Sequence, residues 1–87
     1  MRNGLADATE LMSYFRQLVE QQPSEPHWAH GVEVCERWAS LLRRESVSQN
    51  EIDEVCKRLR QEPGPGSGWV DLTHRFNSWA RGRGFTT

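Results

Sequence analysis

Val47-Ser48-Gln49-Asn50-Glu51-Ile52-Asp53-Glu54-Val55-Cys56-Lys57-Arg58-Leu59 carries a complete helix start. Ser48 and Glu51 stand three apart, the spacing of a capping box. There the hydroxyl accepts from one free amide and the carboxylate accepts from another. Val47 before the cap and Ile52 after it are placed for a hydrophobic staple. Ile52, Val55, Cys56 and Leu59 recur at intervals of three and four, which makes a narrow apolar face. Asp53 with Lys57, and Glu54 with Arg58, are i,i+4 pairs with the acid first, the better orientation. This stretch predicts a helix over about 49–61, ending before Pro63.

The same periodicity recurs on both sides. Upstream, Trp28, Val32, Cys35, Ala39 and Leu42 form one stripe, widened by Val34, Trp38 and Leu41 to about half the helix circumference. So broad a face predicts a central helix over about 26–44, started by Pro26 in its first turn. Before it, Leu11, Met12, Phe15, Leu18 and Val19 share one face of a helix over about 8–22, with Asp7 and Glu10 as its capping pattern and Pro23 as its stop. Downstream, Pro63 to Gly68 reads as a Pro/Gly linker. Trp69, Leu72, Phe76 and Trp79 then fall within an arc of about 80° on a helix over about 69–80. Residues 81–87 have no period and are expected to be extended or loosely ordered. The expectation is an all-α, single small domain over residues 1–87, a four-helix bundle-like fold with a Pro/Gly linker before the last helix.

Composition narrows the function classes. Hydrophobic residues are 36% and charged residues 26%, a globular balance. The net charge of −1 supplies no global field toward nucleic acid or a membrane. Ten of the eleven basic residues are arginine, which reads as the bias of a GC-rich genome. The chain has the size and make-up of a small bacterial or phage-type protein. No targeting segment follows Met1, and no apolar run approaches the roughly 20 residues of a bilayer span. A cytoplasmic location without membrane association is therefore expected, with Cys35 and Cys56 as reduced core thiols.

The residue types for catalysis or metal binding do not assemble. His27, His30, Cys35 and Cys56 are suitable zinc ligands. However, His30 and Cys35 lie about 140° apart around one helix, and His27 lies roughly 12 Å along the axis from Cys35. Burial on apolar faces would raise the thiol pKa values and block access, against a catalytic cysteine. Gly64, Gly66 and Gly68 precede a helix, but without a strand before them or a Gly-Lys-Ser/Thr element after them they do not make a phosphate loop. The reading is a non-enzyme without metal or cofactor.

Surfaces remain. His30, Arg37 and Arg44 recur every seven residues and line one ridge, with Glu33 placed to pair with Arg37 at i,i+4. Tyr14 and Trp28 are the expected partly exposed aromatics, and so the expected anchors for a protein partner. His27 lies beside Trp28 at the helix start. In the C-terminal segment Arg75, Arg81, Arg83 and Phe85 are the candidate nucleic-acid contacts, arginines for phosphates and a ring for stacking. The spacing of the second and third helices resembles a helix-turn-helix only loosely, and the third is net neutral, unlike a major-groove reader.

Gly68-Trp69-Val70, Phe76 and Gly84-Phe85 are similar to the last helix and tail of colicin-type nuclease immunity proteins, over less than a quarter of the chain. That family's acidic second-helix surface, paired tyrosines and short third helix have no counterpart here. The resemblance implies a small protein inhibitor. The leading expectation is a protein-binding module of inhibitor, immunity, antitoxin-like or adaptor type that occludes a surface of a larger protein. The alternatives are a nucleic-acid-binding regulator using the arginine-bearing C-terminus, and a self-associating subunit that buries the broad face of the second helix against another copy.

Overall fold

The computed structural model describes residues 4–44, 46–61 and 67–87. They form four helices and no strand: α1 (Gly4–Gln21), α2 (Pro26–Leu42), α3 (Gln49–Gln61) and α4 (Ser67–Gly82). Most of the linker read as Pro63–Gly68 lies outside the described residues. Its last two, Ser67 and Gly68, already belong to α4.

Consecutive helices run antiparallel. Gly4 of α1 meets Leu42 at the far end of α2, while Phe15 meets Gly31. Arg44 pairs with Glu51, and Glu33 with Arg58, which reverses α3 against α2. The Trp69 indole N–H donates to the Leu59 carbonyl at 3.5 Å, and Gln49 bonds Thr86, which reverses α4 against α3. The fourth helix thus closes an up-down-up-down bundle. α1 and α3 lie on opposite sides, each touching α2 and α4.

The expected stripes build the core. From α2, Trp28, Val34, Cys35, Trp38, Ala39 and Leu41 are buried. From α4, Trp69, Leu72, Phe76 and Ala80 are buried against them. Two aromatic clusters fix the layers. Phe15 stands edge-on to Trp69 at 5.8 Å and lies 6.2 Å from Trp28. Trp38 stands edge-on to Phe76 at 5.5 Å and lies 6.0 Å from Trp79. Such edge-on pairs add to the large area each ring buries. The Trp38 N–H is buried with no hydrogen-bond partner among the described residues. The broad face of α2 is thus covered by the chain's own helices, which removes the reason to expect a second copy over it.

The helix ends depart from expectation for identifiable reasons. α1 already includes Gly4, a turn before the expected start. A Cβ at Gly4 would stand 2.8 Å from Trp79 Cδ1, so the glycine lets this extra turn lie directly on α4. Asp7 is therefore inside the helix and is not its cap. α2 stops at Leu42, where the Arg43 and Arg44 amides donate to Ser40 and Leu41 at 3.2 Å each and tighten the last turn. The α3 capping box is closed: the Glu51 amide donates to Ser48 Oγ at 3.3 Å, and the Ser48 amide donates to Glu51 Oε2 at 3.2 Å.

The tail is not loose. The Phe85 amide donates to Ala80, and the Gly84 amide to Arg81, at 3.0 Å each. Gly84 has φ +91°, so the helix ends in a Schellman motif. Phe85 folds back onto the core. Gln49 then receives the Thr86 amide at 3.0 Å and donates to the Thr86 carbonyl at 2.7 Å.

Candidate functional site

The ridge read on α2 is not a uniform basic surface. His30 is half-buried, while Arg37 and Arg44 are exposed. Glu33 pairs with Arg58 of α3 instead of Arg37, and Arg44 is held by Glu51. Glu36 lies 3.6 Å from Arg16 of α1. The cleft beside Arg37, about 270 Å³, is lined by charges of both signs, among them Glu33, Glu54 and Lys57. The carboxylates that border this ridge neutralise much of its positive field.

The aromatic anchors separate. Trp28 is 8% exposed and its N–H donates to Gln22 Oε1 at 3.4 Å, so it is a core residue and not a surface anchor. Tyr14 is 41% exposed, but its ring leans on the start of α4. A Cβ at Gly68 would stand 2.2 Å from Tyr14 Cε2, so the glycine is what admits the ring. His27 lies 3.4 Å from Glu25.

The C-terminal arginines also separate. Arg75, expected among the phosphate contacts, sits in an acidic cradle at 3.0 Å from Asp71, 3.1 Å from Asp7 and 3.4 Å from Glu10. Burial pulls its guanidinium pKa down, but hydrogen bonding to Asp71 and the charges of Asp71 and Glu10 together outweigh this and hold it above the ordinary value. It fastens α4 to α1 and leaves little for a ligand. Arg83 lies over the Trp79 ring at 5.8 Å, and Phe85 packs on the core. Arg81 donates through Nε to Thr87 Oγ1 at 2.7 Å and remains exposed.

The thiols behave as core groups. Burial, with a smaller contribution from Glu36, pushes Cys35 up to about 12. Cys56 is half-buried and points at Asn77 Oδ1, 3.7 Å away. Burial raises its pKa and Asp53 adds to this, while Arg60 and Arg81 oppose it. Both cysteines are free. Among the described residues no cluster of three or more His, Cys, Asp or Glu could hold a metal ion. No helix among them is long and apolar enough to cross a membrane.

One surface stands apart: the groove between α3 and α4, of about 590 Å³. Val70 is 69% exposed, the most exposed large apolar side chain among the described residues. Leu59 and Arg60 of α3 form one wall, and Val70, His74, Asn77 and Arg81 of α4 form the other. At 100° per residue the four α4 positions fall within about 60°, and at 1.5 Å per residue they extend about 16 Å. No lining residue is acidic. Arg60 and Arg81 lie close enough together to act on the same thiol, Cys56.

Sequence reading missed Val70 and Arg60. Their signal is weak, because one valine among polar residues at positions 70, 74, 77 and 81 makes no apolar stripe. Comparison with known proteins adds nothing to this site: no family model, no curated protein and no solved structure matches the chain. The likeness of the C-terminal segment to immunity proteins gains no support from them.

Proposed function

We propose that this chain is a non-enzymatic protein-binding module, a small inhibitor or adaptor that works by covering a surface of a larger protein. The observation that carries this reading is the exposed Val70 in a groove whose other exposed groups are polar or cationic. One exposed valine alone is ordinary on a surface; set in a concave groove beside Arg60 and Arg81, it offers a partner an apolar contact flanked by charged ones. The aromatic residues that would favour single-stranded nucleic acid are occupied elsewhere: Trp69 is buried, Phe85 folds onto the core and Arg83 covers Trp79. Arg75 is held by carboxylates, which leaves only Arg81 and Arg83 of the expected phosphate-binding set exposed.

The test is capture from a lysate of the source organism with the tagged chain and its Val70→Asp variant, with and without nuclease. A stoichiometric protein that survives nuclease and is lost with Val70→Asp supports the module and its site. Capture that vanishes with nuclease replaces it with a nucleic-acid function.

A further inference from the structure

We infer that the α3–α4 groove receives an acidic amphipathic helix of the partner, its apolar side over Val70 and its carboxylates toward Arg60 and Arg81. The inference rests on the protein-binding reading above and adds the chemistry of the occupant.

Charge complementarity sets the sign. The chain as a whole carries −1, yet this groove has two arginines, a histidine and no carboxylate along its lining. The nearest α4 acid, Asp71, faces α1 and is bound to Arg75. A basic segment would meet Arg60 and Arg81 with no carboxylate in the lining between them, and like-charge contact of this kind rejects a partner.

Backbone chemistry sets the shape. Both walls are α-helices, whose amides and carbonyls are already paired within the helix, so the groove offers no open strand edge to an extended peptide. A third helix can instead seat its side-chain ridge between those of α3 and α4. The strip from Val70 to Arg81 spans about three turns, a length that an amphipathic helix matches with anchors at i, i+4, i+7 and i+11. Nucleic acid is the weaker fit, because Trp69 in the groove wall is buried and leaves only the small ring of His74 for a base to stack on.

The test uses the full chain, isotope-labelled for amide NMR. It is titrated with a synthetic helix of about 15 residues, long enough to cover the strip at 1.5 Å per residue, with leucines on one face and glutamates flanking them. The lysine-for-glutamate isomer and an oligothymidylate of similar length are the comparison probes. The expected result is shifts at Leu59, Arg60, Val70, His74, Asn77 and Arg81, with the glutamate peptide binding at least roughly ten-fold tighter than the lysine isomer. The double variant Arg60→Glu/Arg81→Glu, substituted at exposed positions and checked for unchanged melting, should reverse that preference.

Equal response to both peptides, shifts centred on Arg37 instead, or stronger binding of the oligothymidylate would each overturn the inference. If the glutamate peptide fails while Val70→Asp still abolishes capture of a nuclease-resistant protein, the acidic helix is wrong and the module stands. If both fail, both readings fall.

Discussion

Gly31 and Gly82 should respond to the same substitution with opposite sign. Both are helical, and Gly→Ala in a helix normally stabilises by about 0.5–1 kcal/mol through lower backbone entropy in the unfolded chain and better propensity. At Gly82 nothing lies within 4 Å of an added Cβ, so Gly82→Ala should realise that gain. At Gly31 the Cβ would stand 2.7 Å from Phe15 Cδ1, 2.8 Å from Cγ and 2.9 Å from Cε1. The ring cannot swing aside, because Phe15 is fully buried between Trp28 and Trp69. Overpacking of this kind costs about 1–3 kcal/mol. Subtracting the propensity gain leaves Gly31→Ala destabilised by about 0–2.5 kcal/mol. For a domain of this size each kcal/mol moves Tm by about 4–8 °C. Thermal melts followed by circular dichroism should therefore show Gly82→Ala melting above the wild type by a few degrees and Gly31→Ala below it. A Gly31→Ala variant as stable as Gly82→Ala would refute the close α1–α2 contact.

Arg75→Ala should destabilise by about 1–2 kcal/mol, since it removes charged hydrogen bonds from a half-buried site, whereas Arg16→Ala at the exposed pair with Glu36 should cost under about 0.5 kcal/mol; equal effects in urea titrations would show that the acidic cradle is not a fastener. Arg44 and the Ser48 amide hold the Glu51 carboxyl below its ordinary value, so its contribution is present above that value and lost as pH falls through the lowered one. Melting curves of Glu51→Gln should accordingly lie below the wild type at neutral pH and converge with it in acid; a gap independent of pH would remove Glu51 from the cap. Thiol labelling of the native chain at pH 8 should modify Cys56 slowly and Cys35 only after unfolding, because Cys35 is buried with its pKa pushed up to about 12. Prompt modification of both would contradict the packing of α2.

What could be read from residues alone follows the range of the interactions. The start of α3 was legible because Val47, Ser48, Glu51 and Ile52 lie within six residues, and local hydrogen bonds satisfy the helix end. The core stripes were legible because burial selects apolar residues at helical spacing. The Schellman stop had a signal in Gly84-Phe85, but Arg81-Gly82-Arg83 before it breaks the apolar period and hides the continuation of α4. The role of Arg75 was not legible, since Asp7 lies 68 positions away and the two meet only once α1 and α4 pack. Arg58 likewise chose Glu33 across the helix interface over Glu54 within its own helix. The α3–α4 groove joins Arg60 to Val70 and Arg81, residues of two helices whose pairing no periodicity encodes. The burial of Trp28 has the same origin: its position on the apolar face was visible, but the Phe15 ring that covers it comes from another helix.

Hydroxyl-radical footprinting of the chain alone and in complex with its captured protein partner addresses the docking face most directly. Val70 and His74 should lose most of their oxidation in the complex, while Tyr14, 41% exposed on the α1 side, should keep its own. Protection of Tyr14 or of the His30–Arg37 ridge, with Val70 and His74 still oxidised, would place the interface elsewhere and contradict the α3–α4 groove.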